Sequence, residues 1–587
     1  MVTAITGPGS TALGERIKRR WSSMYNIRLN YEPRWRELAE FIIPYAMGIG
    51  LEVRTQGEKR TYNLYDGTAS RSNQKLNSAI QDAVCSPAFR FAELRMEEPY
   101  LNYVLPVRQW LYECMSVIYA MWNSSNFYSE SGQSFMELGC FGTGCTYQEE
   151  ILPRENRKHS GLHFDARRVG RYCISEGDDG RVDTVFTELK MQPTQIAAKW
   201  KKEQLSTQLQ STIANTPDTM IPISIIHAVF PNRYGTEIVD SMYQNGGIPE
   251  MIARDRKWKW LSVYIEMITG HVIETGGFYE NPYSVPRWYR VPEEIYGRGP
   301  GDWALPDIRS LNVLVKRQHQ KVDLIVKPPL MSPPKNILTR LLLTPSGLTY
   351  VDDPSKLVPI YPDTNSQWPQ IDKQELRDAV AQSFFSNLID LAMPQKAGNP
   401  MTALEVQARL LLMGKILGPA LGNFKREDIE PKIQRSFGIA MRGGLLPPVP
   451  EELMMHAAQG GNMNVNIVYE GPLEKAQRTE SAGAALQFFQ GLMQAAQLFP
   501  EVRYTVDAMK WAYKYSEATG VDQDVMRTPE EASDMYKQEQ EAQAQQAQEM
   551  KMHALAQSAG RAAPALKLLQ GPQGEQGAGG GEAGATE

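Results

Sequence analysis

Two long helical patterns on either side of a proline-rich insertion constrain this chain more than any other feature. In residues 303–326, Ile308, Leu311, Val315, Val322 and Ile325 recur on one helical face, enough for a rod of about 36 Å at 1.5 Å rise per residue. In residues 372–391, Leu376, Val380, Phe384, Leu388 and Leu391 line a second face, and Asp372 with Glu375 has the form of a capping box that opens it. Between them, residues 327–371 contain KPPLMSPP, LTYVDD and LVPIYP and read as a small short-stranded module. Helix, compact module, helix makes an antiparallel stalk with a tip. An isolated stalk of this kind exposes too much apolar surface, so it requires neighbours. A ring of identical stalks is one closed solution.

A chain of 587 residues is too long for one core, so about two to four sub-structures are expected. Ahead of the stalk the pattern predicts helices over 13–42, with a restart at Pro33 and a stop at Pro44, and over 70–84, 107–122 and 129–138. Strands are expected over 143–152, 182–189, 221–230, 257–268 and 271–275, the last two joined by a turn at Thr269-Gly270. In 257–268, Leu261, Val263, Ile265 and Met267 alternate with Trp260, Ser262, Tyr264 and Glu266, which is the pattern of a half-buried strand. Behind the stalk, MPQKAGNP (393–400) interrupts the helical pattern, and Thr402 with Glu405 opens a further helix. That helix is expected to break at Gly414, at Gly418-Pro419 and at Pro431. A strand at 464–469 precedes more helix. Thr528-Pro529-Glu530-Glu531 is a helix start leading into a Gln- and Ala-rich solvated stretch, and the Gly-rich residues 571–587 read as a disordered tail. The fold class expected is α+β, mainly α-helical.

The formal net charge is −5, from 62 basic and 67 acidic side chains. A protein that grips phosphates carries a basic excess, so any contact with DNA is expected to be local or weak. Five cysteines at irregular spacing argue against a disulfide framework and for a reducing compartment. No signal-peptide core or membrane-length apolar run is expected; FIIPYAMGIGL comes nearest, and proline and glycine interrupt it.

Several local patterns invite sharper chemistry. GCFGTGC (139–145) is neither GxxxxGK[ST] nor GxGxxG, and it joins a helix to a strand rather than the reverse, so a tight turn is expected. Cys140, Cys145, Cys173 and His163 have the wrong spacing for zinc and read as buried thiols. Asp178-Asp179 and Asp352-Asp353 lack a third ligand at useful spacing. Arg254-Asp-Arg-Lys-Trp-Lys-Trp260 mixes bases with aromatics as a single-strand DNA-binding protein would; a strand with tryptophans inward and lysines outward explains it as well. No Walker, HExxH or Ser/His/Asp arrangement supports a nuclease or ATPase, so no enzyme, cofactor or metal is expected.

Four stretches carry a resemblance: YDGTASRSNQKLNSAIQDAVCSPAFRFAEL (65–94), FMELGCFGTGCTYQEE (135–150), YGRGPGDWALPDIRSLNVL (296–314) and MPQKAGNPMTALEVQAR (393–409), with FGIAMRGGLLPPVP (437–450) behind the last. In order and spacing the sequence resembles the head-to-tail connecting, or portal, proteins of podoviruses, from about residue 13 to about 530. The resemblance implies a dodecameric ring at one capsid vertex and a subunit with a mixed wing (1–302 and 401–475), a stem (303–326 and 372–392), a clip (327–371) and a helical crown (476–570). Residues 393–400 fall where such proteins carry a channel loop, which makes Gln395, Lys396 and Asn399 channel candidates. Lys316, Arg317 and Lys321 are basic candidates on the stem.

The implied partners are the major capsid and scaffold proteins, the terminase large subunit, tail adaptor proteins and double-stranded DNA in transit, with no membrane. The implied location is the portal vertex of the virion, assembled in the host cytoplasm. Twelve copies would carry 12 × −5 = −60 formal charges, which suits a channel in which DNA must slide. Lys396 and the stem bases would add only sparse basic rings.

Overall fold

The computed structural model describes residues 11–46, 61–88, 90–151, 161–217, 219–232, 258–326, 330–332, 348–350, 368–387, 416–461, 464–469, 486–494 and 529–569, with single or paired positions between them. Two compact units divide the chain, 1–477 and 478–587.

In the first unit, helices α1 (Thr11–Leu29) and α2 (Glu32–Ile42) are separated at Asn30-Tyr31, and Pro33 stands in the first turn of α2, where its missing N–H costs nothing. Helices α3 (Thr68–Cys85), α4 (Leu105–Asn123) and α5 (Phe127–Phe141) follow with a short strand β1 (Ala92–Met96) between α3 and α4. Their apolar faces share one core. Trp122 stacks on Phe127 at 4.3 Å and on Phe91 at 5.9 Å, all three buried.

Strands β2 (Thr146–Ile151) and β3 (Gly161–Ala166) form an antiparallel pair. Strands β4 (Tyr172–Glu176), β5 (Val182–Met191), β6 (Ile223–Pro231), β7 (Trp260–Glu266) and β8 (Val272–Phe278) form an antiparallel sheet in that order. The short β9 (Tyr283–Ser284) adds to β2. The expected half-buried strand at 257–268 is corrected: both faces of β7 are covered. Leu261, Val263 and Ile265 pack under α1, while Tyr264 packs with Ile196, Trp200 and Leu209 of the segment holding α6 (Pro193–Lys199) and α7 (Thr207–Asn215). Ser262 and Glu266 are buried because each has partners: Ser262 meets His227 Nε2 at 3.0 Å, and Glu266 accepts from Ser206 and Thr269, both at 2.6 Å. The turn at Thr269-Gly270 forms as expected, with Gly270 at φ +70°.

Helix α8 (Pro300–Val326) and helix α9 (Trp368–Ser383) pack together, and between them β10 (Leu330–Ser332) pairs in parallel with β11 (Leu348–Tyr350). The expected N-cap at Asp372 is corrected: α9 begins four residues earlier at Trp368, with Pro369 in its first turn, so Asp372 is an exposed interior residue. The helix also ends sooner than its apolar stripe. Phe385 turns to φ +57°, a costly conformation for a bulky side chain, while Phe384 is fully buried and Phe385 stacks on Trp288 at 6.1 Å.

Residues 416–443 form a continuous helix, α10, including the segment Glu430–Gly443. The breaks expected at Gly418-Pro419 and Pro431 do not occur. Pro431 is accommodated by a π turn over Lys425–Ile429, where Glu430 N–H bonds the Lys425 carbonyl, five residues back. The widened turn relieves the clash a proline ring makes with the carbonyl four residues earlier. Helix α11 (Glu451–Ala458) and strand β12 (Val465–Tyr469) close the unit, with β12 antiparallel to β1. In the second unit, α12 (Pro529–Leu569) starts at the expected proline and is exposed over 535–552.

Candidate functional site: the start of α8

Three of the four motif stretches converge at the start of α8. The turn after α5 puts Gly142 at φ +76°, and a Cβ there would stand 2.4 Å from the Arg298 carbonyl carbon. Gly142 is glycine for both reasons. Its carbonyl accepts from Trp288 N–H at 3.0 Å, and Thr143 Oγ1 accepts from Gly297 N–H at 2.9 Å. A Cβ on Gly301 would stand 2.4 Å from the Cys140 carbonyl oxygen. The glycines of GCFGTGC and YGRGPGD therefore let two backbones pass in contact. The first is the expected tight turn, here serving as a seat for the start of α8.

The YDGTAS stretch ties both α8 and α9 to the segment ahead of α3. Tyr65 N–H donates to Asn312 Oδ1 at 2.8 Å, and Asn312 Nδ2 donates to the Asn63 carbonyl at 2.6 Å. Asp66 accepts from Arg377 of α9 at 2.6 Å. Burial alone would raise the Asp66 carboxyl, but bonds from Thr68 and Arg377 outweigh it and hold the group below its ordinary range. At the N-terminus of α8, Asp302 pairs with Arg34 at 3.0 Å; burial raises the acid and lowers the base.

Beside this junction sits an ionic node that no local sequence pattern announces. Arg287, fully buried, donates to Glu176, to Glu427 at 2.6 Å and to the Gly180 carbonyl at 2.9 Å. Glu427 belongs to the π turn of α10. The next residue, Asp428, accepts from Ser284 at 2.9 Å and from Lys432 at 2.7 Å, both charges buried. Tyr469 of β12 donates to the Lys425 carbonyl at 2.7 Å.

The stem candidates separate. Lys316 lies 5.5 Å over the Tyr65 ring, toward the wing. Arg317 lines an open groove between α8 and α9 with Val313, Leu314, Asp372, Glu375 and Leu376. Lys321 is one helical turn beyond Arg317 on the same side. The apolar stripe is core up to Val315, but its later member Val322 is 50% exposed, as is Val326 one turn on at 69%, so it outruns the core that covers its base. Gln395, Lys396 and Asn399 lie outside the described residues. So do Arg254–Lys257; of that segment, Trp258 packs on Tyr279 at 4.6 Å and Lys259 is exposed. Among the described residues there is no cluster of three or more metal-ligating side chains and no helix long and apolar enough to cross a membrane. All five cysteines are free and buried.

The packed pair α8 and α9, with the two-stranded β10–β11 pair between them in sequence, thus starts from close-packed glycine turns. The model of the bacteriophage head to tail connecting protein matches residues 14–526, and the chain belongs to that family. Its role is that of a phage head–tail connector of the portal type, a component of the virion. The probable portal protein of Bordetella phage BPP-1 is 27% identical over 513 residues, 86% of this chain and 87% of that one. The portal protein of Salmonella phage epsilon15 is 26% identical over 565 residues, 93% and 94% of the two chains. Among solved structures, a chain from the neck of an empty GTA particle aligns over 75% of this chain and 93% of its own, at 11% identity and a TM-score of 0.29. The assignment therefore rests on the sequence relationship.

Proposed function

We propose that twelve copies of this chain close into a ring at one capsid vertex, that double-stranded DNA passes through the ring during packaging and ejection, and that the chain acts as a conduit rather than a catalyst. In this reading the wing is 1–302 with 401–475, the stem is 303–326 with 372–392, the clip is 327–371 and the crown is 476–570. The clip receives the terminase large subunit and later the tail adaptor proteins. The wing meets the capsid and scaffold proteins, and assembly takes place in the host cytoplasm. Residues 393–400 form the channel loop, and Lys396, flanked by Gln395 and Asn399, is its cationic contact to DNA.

The observation that carries this reading is the near full-length relationship to two phage portal proteins. The stem adds physical support: its apolar stripe continues past the core to Val322, with Val326 exposed one turn on, and calls for a neighbour. The net charge of −5 per subunit favours a channel that does not grip phosphates. The test is the native mass of the purified protein with end-on electron micrographs. A particle near 12 × 66.1 kDa, about 793 kDa, with a central hole is expected. A stable monomer or dimer, with no rings even when capsid and scaffold proteins are supplied, overturns the ring. Steeply salt-dependent single-strand binding by that species would favour the Arg254–Trp260 reading instead.

A further inference from the structure

We propose that the outer edge of β12 receives an extended arm of the protein shell around the ring, which adds a third strand to the β1–β12 pair. This rests on the ring reading above and names how the subunit is held in the shell.

The register of the pair fixes which backbone groups point outward. Glu97 N–H donates to the Asn464 carbonyl at 3.0 Å, next to the Met96–Val465 pair. Ladder bonds alternate along an antiparallel pair. Arg95 with Asn466 and Glu93 with Val468 therefore exchange backbone bonds, while Ala92, Leu94 and Met96 turn theirs away from β12. On β12, Val465, Ile467 and Tyr469 likewise turn theirs away from β1.

Other strand edges of this fold are closed by side chains. On β1, the Tyr119 hydroxyl accepts from Ala92 N–H at 2.9 Å, and Asn102 takes both backbone groups of Met96 at 2.8 and 3.0 Å. On β3, Asn126 takes both backbone groups of Phe164 at 2.9 and 2.7 Å, and Glu130 accepts from Ala166 N–H at 2.9 Å. On β4, Arg28 donates to the Tyr172 carbonyl at 3.2 Å, and the Tyr296 hydroxyl accepts from Ile174 N–H at 3.4 Å. Such plugs prevent strand addition. The outward backbone groups of Val465, Ile467 and Tyr469 have no such partner among the described residues. The Tyr469 hydroxyl is turned to the Lys425 carbonyl instead. VNIVY is also a strong strand sequence, with Asn466 exposed and the other four half-buried.

The free groups recur every second residue, about 6.8 Å apart, a repeat that an extended chain matches and a helix does not. In a second copy the β1, β3 and β4 edges are closed in the same way. Its β12 would pair about a two-fold axis, which head-to-tail neighbours in a ring do not share. The shell fits better. A twelve-fold ring in a five-fold vertex gives each copy different surroundings, so no fixed set of side-chain contacts repeats around it. A flexible arm held through backbone groups does repeat, because those bonds do not depend on its side chains.

The experiment is hydrogen exchange of the full-length chain, resolved to single amides across 463–470 by mass spectrometry. It is measured on the free subunit, the free ring and the ring built into shells with capsid and scaffold proteins. The Val465, Ile467 and Tyr469 amides should exchange equally fast in subunit and ring, and at least about tenfold more slowly in shells. Protection that appears on ring closure assigns the added strand to a neighbouring copy and overturns the proposal. Amides that stay fast in shells overturn it as well.

A pair of variants reads the same edge by function. Ile467→Pro removes an outward donor and leaves the β1 ladder its bonds. Ile467→Ala loses the same side chain and keeps the donor. Both should give rings of wild-type mass. The proline variant should enter shells about tenfold less often than the alanine variant. Equal entry by the two overturns the proposal. A wild-type chain that forms no ring removes the ring reading and this proposal with it, and native mass shows that outcome separately.

Discussion

The guanidinium of Arg287 and the carboxylate of Glu427 meet at 2.6 Å, with the arginine side chain fully buried. Arg287 follows β9 closely in the chain, and Glu427 lies on the π turn of α10, so the pair joins residues 140 apart in sequence. Glu176 completes the node from the end of β4. Three separate elements are thus fixed to one cation beneath the root of the stem.

Removing that cation should be costly. Arg287→Met leaves two carboxylates at a buried site without a counter-charge, and such a loss costs about 3–5 kcal/mol. The double variant Arg287→Met/Glu427→Gln should recover part of the loss, because it buries less uncompensated charge. Urea midpoints of wild type, single and double variants check this. Equal midpoints for wild type and Arg287→Met would show that the node is dispensable.

Gly142→Ala should fail for a different reason. The residue is at φ +76°, and the added methyl meets the Arg298–Gly299 backbone at 2.4–2.6 Å. Backbone strain of this kind costs about 1–3 kcal/mol before the clash is counted. The neighbouring turn cannot yield without moving the start of α8. The expected outcome is a lower melting temperature and little ring assembly. Gly418→Ala, where nothing lies within 4 Å of a new Cβ, is the control and should be neutral or mildly stabilising.

Much of this fold is legible in the sequence wherever one periodicity dominates. The pattern of Trp110, Leu111, Cys114, Met115, Ile118 and Trp122 gives α4, and all six are buried. The Thr269-Gly270 turn gives the β7–β8 hairpin. What escapes has a common physical cause: long-range context decides it. Ser262, Tyr264 and Glu266 look like a solvated face until α6 and α7 cover them. Asp372 looks like a cap until the helix proves to start at Trp368. Pro431 looks like a break, because a π turn leaves no periodic trace. At the stem root, the glycines of 139–145 and 297–301 are visible as punctuation, but their mutual contact is not. Arg287, Glu427 and Asp66 are ordinary charges in sequence, and only the fold brings them to their partners.

The cysteines give a chemical check. All five are free and buried. Burial raises every thiol, Cys114 and Cys173 to about 12, so almost no thiolate exists at neutral pH. A maleimide reagent should label none of them in the native protein and all five in denaturant, read by intact mass. Rapid native labelling of Cys140 would mean that the contact between 139–145 and the start of α8 opens readily.

Lys396 tests the channel assignment. Lys396→Gln removes one charge per subunit from the proposed loop and should leave ring mass unchanged while reducing DNA packaging or retention. Unchanged packaging and retention would remove Lys396 from the list of DNA contacts and leave the ring itself untouched.

Glu137 sets a pH dependence whose sign is fixed by its environment. Burial raises its carboxyl to about 7, against which the Val169 N–H bond and Arg168 act only in part. An unfolded glutamate titrates near its ordinary 4.5. Between these values the folded chain holds a proton that the unfolded chain has released. Folding is therefore favoured at low pH by this group, and the contribution is lost as pH rises from about 4.5 to about 7. Glu137→Gln keeps an acceptor for Val169 N–H, 2.9 Å away, and carries no titration. Its stability relative to wild type should be near zero at pH 4.5 and rise to about 1–3 kcal/mol by pH 8. Denaturant midpoints of both proteins across that range decide it: a difference that stays flat with pH would place the Glu137 carboxyl in its ordinary range.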